Sequence, residues 1–249
     1  DAIITWLPNE TGLYGPISLL VSDDALIPET AIQEFYLDVR LPQSFSLHEG
    51  SNLISYMGVL ENNTIENMFA DLGQNISQIL TENYAAVQLE DGTWMGSLSN
   101  IEQTKGYWVR INTFTDYQVS TYQTPNNQIY QLHEGQNLIS YIGIDDIDLD
   151  VALPDDIETL FTDIFSENIS ATRNEEGEWV GSLSQLGWQQ LLGYWVNVTQ
   201  DIDFSYEVEG DLARYTDNYI NYDYTISSLP LDFTYSQSQK QSFYYFKNV

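Results

Sequence analysis

The chain contains no cysteine, only two histidines and only seven lysines and arginines among its 249 residues. Without cysteine there are no disulfides, no thiolate metal sites and no Cys nucleophile. Against the few basic residues stand 37 acidic ones, a net charge of -30. A surface of that sign repels a phosphate backbone, which argues against nucleic acid as a partner. No apolar run reaches 18 residues, the length that suggests a membrane-spanning helix. The first residues, Asp1-Ala2-Ile3-Ile4-Thr5-Trp6, lack the basic start and apolar core of a signal peptide. The P-loop, the dinucleotide-binding fingerprint, the G-x-S-x-G elbow and the H-E-x-x-H zinc motif are all missing. High acidity with much Asn, Ser, Thr and Tyr and little Lys suits an extracellular protein in salty water, where ions screen self-repulsion.

What the chain does have is apolar material, 43% hydrophobic and 14% aromatic, enough for two or three small folded cores. It also has a repeat. Leu47-His48-Glu49-Gly50-Ser51-Asn52-Leu53-Ile54-Ser55-Tyr56 returns 85 residues later as Leu132-His133-Glu134-Gly135-Gln136-Asn137-Leu138-Ile139-Ser140-Tyr141, identical at nine of ten positions. Trp94-Met95-Gly96-Ser97-Leu98-Ser99 is matched by Trp179-Val180-Gly181-Ser182-Leu183-Ser184, and Gly106-Tyr107-Trp108-Val109 by Gly193-Tyr194-Trp195-Val196.

Four segments follow: a partial β segment at 1–44, repeat modules at 45–122 and 123–208, and a C-terminal β segment at 209–249. In the first, Ile3–Leu7, Ile17–Val21 and Ile32–Val39 read as strands separated by Pro, Gly and Asn turns. Each module opens with a strand, turns at His-Glu-Gly and enters the Asn-Leu-Ile-Ser-Tyr strand. Apolar residues at i, i+3, i+4 and i+7 then predict a short helix at Ile65–Leu72 and at Ile157–Ile164, running towards Asn75 and Asn168. A hairpin with turns at Glu90-Asp91-Gly92 and Glu175-Glu176-Gly177 leads to the Trp strand and to a last Gly-Tyr-Trp-Val strand. The fold class expected is mainly β: two tandem α+β modules, each with one short helix, flanked by sandwich-like ends. Those ends belong either to a longer array or to one another, as a third β-domain into which the modules are inserted.

The order Thr5-Trp6-Leu7-Pro8, Gly12-Leu13-Tyr14-Gly15, Leu20-Val21-Ser22-Asp23 and Gln33–Val39 resembles the second half of the cadherin-like and immunoglobulin-like domains strung along bacterial surface proteins. The module pattern G-x-N-L-I-S, W-x-G-S-L-S and G-Y-W-V resembles tandem modules of very large secreted or surface proteins of marine bacteria. The segment from Gln237 resembles the start of a further β-domain of such proteins. These resemblances imply extracellular placement and an architectural or adhesive role, and they carry over no active-site residues.

Candidate chemistry is sparse. His48 and His133 occupy equivalent turns in separate modules and read as turn residues whose rings bond backbone. Asp145, Asp146, Asp148 and Asp150, with Asp155 and Asp156, offer hard oxygen ligands for Ca²⁺ but lack the spacing of a known loop, which favours a solvated acidic segment. The matched Trp and Tyr residues read as core, whereas Trp188, without a counterpart in the first copy, is the surface candidate for stacking a sugar. N-x-S/T sequons at Asn9, Asn62, Asn75, Asn168 and Asn197 are near what this composition yields by chance. No cofactor is expected. The leading expectation is a non-enzymatic section of a surface array or filament whose terminal strands pair with neighbouring domains or with copies of itself. A carbohydrate-binding module is the alternative, and a secreted hydrolase fragment ranks last.

Overall fold

The computed structural model describes residues 6–22 and 29–207, together with the backbone of 243–245. The chain divides into two compact units, Arg40–Gly210 and a unit made of both ends, Asp1–Val39 with Asp211–Val249. The protein is mainly β, as the sequence suggests.

In the unit formed by the ends, β1 (Gly12–Ser22) and β2 (Thr30–Val39) form an antiparallel hairpin, and β18 (Phe243–Tyr245) pairs with the other side of β1. The strands expected at Ile17–Val21 and Ile32–Val39 lie inside β1 and β2. Of the strand expected at Ile3–Leu7, the described part, Trp6 and Leu7, is not in a strand, and the rest lies outside the described residues. The segment from Gln237, apart from the backbone of β18, and the Tyr-rich stretch after Gly210 also lie outside them. The pairing of β18 with β1 joins the two ends in one sheet, the arrangement in which the modules are an insertion.

The repeat unit begins earlier than Phe45. Leu41-Pro42-Gln43-Ser44-Phe45-Ser46-Leu47 alternates buried and exposed without a break, as a half-buried strand does, so β3 is Leu41–Leu47 and the boundary falls at Arg40. The first module continues through β4 (Gly50–Ser55), β5 (Gly58–Val59), α1 (Ile65–Met68), a 3-10 segment at Ala70–Asn75, β6 (Ile76–Leu80), β7 (Ala85–Gln88), β8 (Trp94–Gly96), β9 (Gly106–Ile111) and β10 (Thr115–Gln123). The second runs through β11 (Tyr130–Leu132), β12 (Gly135–Ile139), a 3-10 turn at Glu158–Leu160, β13 (Phe161–Ser166), β14 (Ile169–Arg173), β15 (Trp179–Val180), α2 (Leu183–Leu186), β16 (Tyr194–Val198) and β17 (Ile202–Phe204).

The two large sheets share one topology. One five-stranded antiparallel sheet has the order β4-β9-β6-β7-β8 and the other β12-β16-β13-β14-β15. The second layer is β3-β10-β5 in the first module and β11-β17 in the second. Each module has its own core. In the first, Phe45, Leu47 and Tyr117 of the small sheet meet Ile54, Ile79, Val109 and Ile111 of the large one, with Ile65 and Met68 of α1 packed alongside. In the second, Tyr130, Leu132 and Phe204 meet Ile139, Ile164, Val196 and Val198.

The helix expected at Ile65–Leu72 is present as α1 followed by 3-10 turns. The one expected at Ile157–Ile164 is not: after Glu158–Leu160 the chain enters β13. A bulge explains the misleading period. The register of β13 against β16 shifts between Phe161 and Asp163, and that of β6 against β9 between Ile76 and Gln78. One extra residue in a strand brings two apolar side chains three apart onto one face, so buried Phe161 and Ile164, like Ile76 and Ile79, imitate helical spacing. The Asn75–Asn168 match is corrected as well. Asn168, with φ of 64°, occupies the β13–β14 turn, equivalent to Asn83 in the β6–β7 turn, whereas Asn75 precedes β6.

Candidate functional site: the joint between the repeats

The repeated residues build two things, a tight turn and a joint. In the turn, Gly50 and Gly135 take φ of 101° and 98°, which a side chain resists. The buried amide of Asn52 then ties the turn together: its Oδ1 accepts the His48 N–H at 2.9 Å and its Nδ2 donates to the His48 carbonyl at 2.9 Å. Asn137 does the same to His133 at 3.0 and 2.8 Å.

The joint is reciprocal. His48 Nε2 lies 2.6 Å from Glu167 Oε1 in the β13–β14 turn of the other module, and Glu167 Oε2 accepts the Leu53 N–H at 3.1 Å. With roles exchanged, His133 Nε2 lies 2.7 Å from Glu82 Oε1 in the β6–β7 turn, and Glu82 Oε2 accepts the Leu138 N–H at 3.3 Å. Ser55 donates its hydroxyl to the Leu192 carbonyl at 2.7 Å, and Ser140 donates to that of Gln103 at 2.6 Å. The Ser55 N–H donates to the Leu191 carbonyl at 2.8 Å, and the Ser140 N–H to that of Thr104 at 3.2 Å. The histidine–glutamate, glutamate–amide and serine N–H contacts each occur twice with donor and acceptor modules swapped, the pattern of a twofold interface within one chain, whereas the two serine hydroxyls reach non-equivalent carbonyls of the facing loop. The outer edges of β4 and β12 are thereby covered, each by the loop entering the other module's Gly-Tyr-Trp-Val strand.

That close approach accounts for the glycine of Gly-Tyr-Trp-Val. A Cβ on Gly106 would stand 2.8 Å from Leu138 Cδ1 and 3.0 Å from the Ile139 carbonyl oxygen; one on Gly193 would stand 2.8 Å from the Ile54 carbonyl oxygen. The following tyrosine closes the same loop, for the Tyr107 and Tyr194 hydroxyls accept the N–H of Glu102 at 2.6 Å and of Gln189 at 2.8 Å. Burial pushes both phenols well above their ordinary value, so they remain neutral. In Trp-x-Gly-Ser-Leu-Ser, the Ser97 and Ser182 hydroxyls accept the N–H of Ala85 at 3.3 Å and of Ser170 at 3.2 Å, and Leu98 and Leu183 are buried.

The surroundings of the histidine rings favour their protonated form. The Nδ1 of each faces the backbone carbonyl of the next residue, Glu49 at 2.7 Å and Glu134 at 2.8 Å. These carbonyls and the Glu167 and Glu82 carboxylates raise both histidines above 6.5. Glu82, despite burial that opposes it, is held below 4.5 by His133, the Leu138 N–H and Lys105.

The other candidates fall differently. Trp188 is fully buried and not a surface platform. It stacks on Tyr141, with centroids 5.1 Å apart, and donates Nε1–H to the Leu149 carbonyl at 3.1 Å. It does have a counterpart: the tyrosine-to-loop bonds align Gln189 with Glu102, so Trp188 replaces buried Ile101, and the extra two residues lie before it. Asp145, Asp146, Asp148 and Asp150 do not converge, and among the described residues no group of three or more His, Cys, Asp or Glu could hold a metal ion. Asp145 accepts the Gln190 N–H at 2.6 Å and Asp146 a Gln189 amide hydrogen at 2.9 Å. Asp150 pairs with Arg173 and accepts Trp179 Nε1–H at 2.8 Å, while the guanidinium lies 4.4 Å over the Trp179 ring. The sequon residues Asn75 and Asn197 spend their amides on the Thr113 carbonyl at 2.9 Å and on Thr162 Oγ1 at 2.7 Å.

A cleft of about 390 Å³ between α1 and β10 is lined by Leu60, Asn67, Met68, Asp71, Gln118, Val119 and Ser120. Asp71 is its one ionisable lining residue, and a single carboxylate does not make an acid–base pair. The sequence named both histidines but not their partners, since Glu82 and Glu167 stand 51 and 119 residues from them. The repeat itself held the signal: Thr81-Glu82-Asn83 and Ser166-Glu167-Asn168 share the 85-residue offset of the decapeptide. Comparison of the chain with protein-family models, with curated proteins and with solved structures gives no match.

Proposed function

We propose that the chain is a non-enzymatic, extracellular structural or adhesive element, a section of a surface array or filament, with the paired modules as its rigid insert. The observation that carries this reading is how the repeated residues are used. His, Gly, Asn, Ser and Tyr of the motifs are committed to turns, strand ends and the joint between modules, which is the use expected of a scaffold. The net charge of -30 supports a saline, extracellular setting, in which ions screen self-repulsion. Assembly proceeds through the unit formed by the chain ends. Among the described residues β2 has a strand neighbour on one side only, and Leu20 and Ile32, opposite each other in register, are 40% and 66% exposed. A neighbouring domain or second copy adding a strand there gains main-chain hydrogen bonds and covers apolar surface.

Light scattering and negative-stain microscopy of the 249-residue chain, with and without Ca²⁺, test the proposal. Multimers or fibres that a Lys substituted for Ile32 disperses are the expected result. A monomer at every concentration and salt condition would overturn assembly through this edge.

A further inference from the structure

We propose that the two His–Glu contacts form a pH-responsive lock on the joint between the modules, closed when both imidazoles carry two protons and released as the pH rises. The argument is one of hydrogen-bond supply. Each ring faces an acceptor at both nitrogens: a backbone carbonyl at Nδ1, 2.7 Å away for His48 and 2.8 Å for His133, and a carboxylate oxygen at Nε2, 2.6 and 2.7 Å away. Carbonyls and ionised carboxylates only accept, and a neutral imidazole has one N–H. Loss of the proton therefore sets two lone pairs against each other at one end of each ring. The ring cannot escape by flipping its tautomer, because the opposite end then fails in the same way.

The carboxylates transmit the loss to the joint. The second oxygen of Glu167 holds the Leu53 N–H and that of Glu82 the Leu138 N–H, within the two strands whose edges the opposite module covers. The groups facing His48 are Glu167 from the other module and the Glu49 carbonyl from its own turn. Those facing His133 are Glu82, the Glu134 carbonyl and Asp201, which also accepts the Glu134 N–H at 2.7 Å, with Lys105 acting on Glu82. The serine bonds to Leu192 and Gln103 carry no titratable group and persist, so release loosens the joint and does not sever it.

The sign follows from the direction of each shift. Both histidines are raised above 6.5 in the folded chain, so their contribution is complete below 6.5 and is lost as the pH climbs through the raised values. Glu82 is held below 4.5, so its contribution is complete above 4.5 and is lost as the pH falls through the lowered value. The Glu82–His133 half of the lock is thus fully closed between pH 4.5 and 6.5.

The chain has only two histidines, so both rings can be followed by nitrogen NMR in the intact 249-residue protein. Both are expected to stay doubly protonated past pH 6.5. Glu167→Gln should lower the midpoint of His48 and leave His133 unchanged, and Glu82→Gln should do the converse. Hydrogen exchange at the Leu53 and Leu138 amides should accelerate, relative to amides within β9 and β16, along the same titration. A ring that titrates at or below 6.5, midpoints indifferent to the carboxylate substitutions, or Leu53 and Leu138 exchange that ignores the histidine titration would overturn the lock. The unsubstituted chain decides by its titration and exchange alone if a variant fails to fold.

Discussion

At the scale of single residues, two glycines and two tyrosines test the account of the repeated motif. Gly106 and Gly193 do not need left-handed backbone; they need the space that the facing module's leucine and carbonyl fill. Gly106→Ala and Gly193→Ala should each cost about 1–3 kcal/mol of stability in urea unfolding through overpacking. The loss should appear as faster exchange at the Ser55 and Ser140 amides, which cross the joint. Tyr107→Phe and Tyr194→Phe remove the acceptor from a loop N–H and should each cost about 1–2 kcal/mol. Such residues were legible as important because they occur twice, but their role was not, since a motif written along one chain does not say that its partner is the other copy.

At the scale of elements, the outcome depended on whether the deciding interactions were local. The turns at Gly92 and Gly177, with φ of 85° and 84°, were readable because the local backbone needs the glycine. The helix expected at Ile157–Ile164 was a bulged strand, because two buried residues three apart fit either element and only pairing with β16 decides between them. Trp188 was misplaced for a related reason: two residues of difference before it hid its equivalence to Ile101. The acidic segment is exposed at Asp145, Asp146, Asp148, Asp155 and Asp156, as read, and what the sequence did not show is that Asp150 anchors it through Arg173, whose guanidinium also donates to the carbonyls of Phe161 at 3.0 Å and Glu158 at 2.9 Å. Arg173→Met should therefore free the 145–156 loop, cost about 1–3 kcal/mol chiefly by stranding two carbonyls, since the half-exposed Asp150 carboxylate can turn to water, and shift the fluorescence of Trp179, on which the guanidinium stacks. Calorimetry and Trp emission check both consequences. The first module should tolerate Gln88→Met far better, because the equivalent Gln88 amide donates only to the Gly92 carbonyl, at 3.3 Å.

At the scale of the whole molecule, the charge is the dominant long-range quantity. With -30 charges, compaction is opposed by self-repulsion that salt screens over a Debye length of about 10 Å at 0.1 M. Thermal unfolding should shift upward between low salt and about 0.5 M sodium chloride, and magnesium should do no better than an equal ionic strength of sodium if no divalent site exists. A larger effect of the divalent ion at matched ionic strength would show that carboxylates of the chain gather one.

The six residues 124–129 that carry the chain from β10 to β11 give the joint a further property. A short covalent tether holds each module beside the other at an effective concentration of order millimolar, so few contacts suffice to keep the pair closed. Histidine–carboxylate and serine–carbonyl bonds, too weak to assemble two free proteins, are strong enough for two halves that never diffuse apart. Cleavage at an engineered protease site within 124–129 would convert that intramolecular closure into a dilution-sensitive equilibrium, turning a permanent fold into a complex that can fall apart.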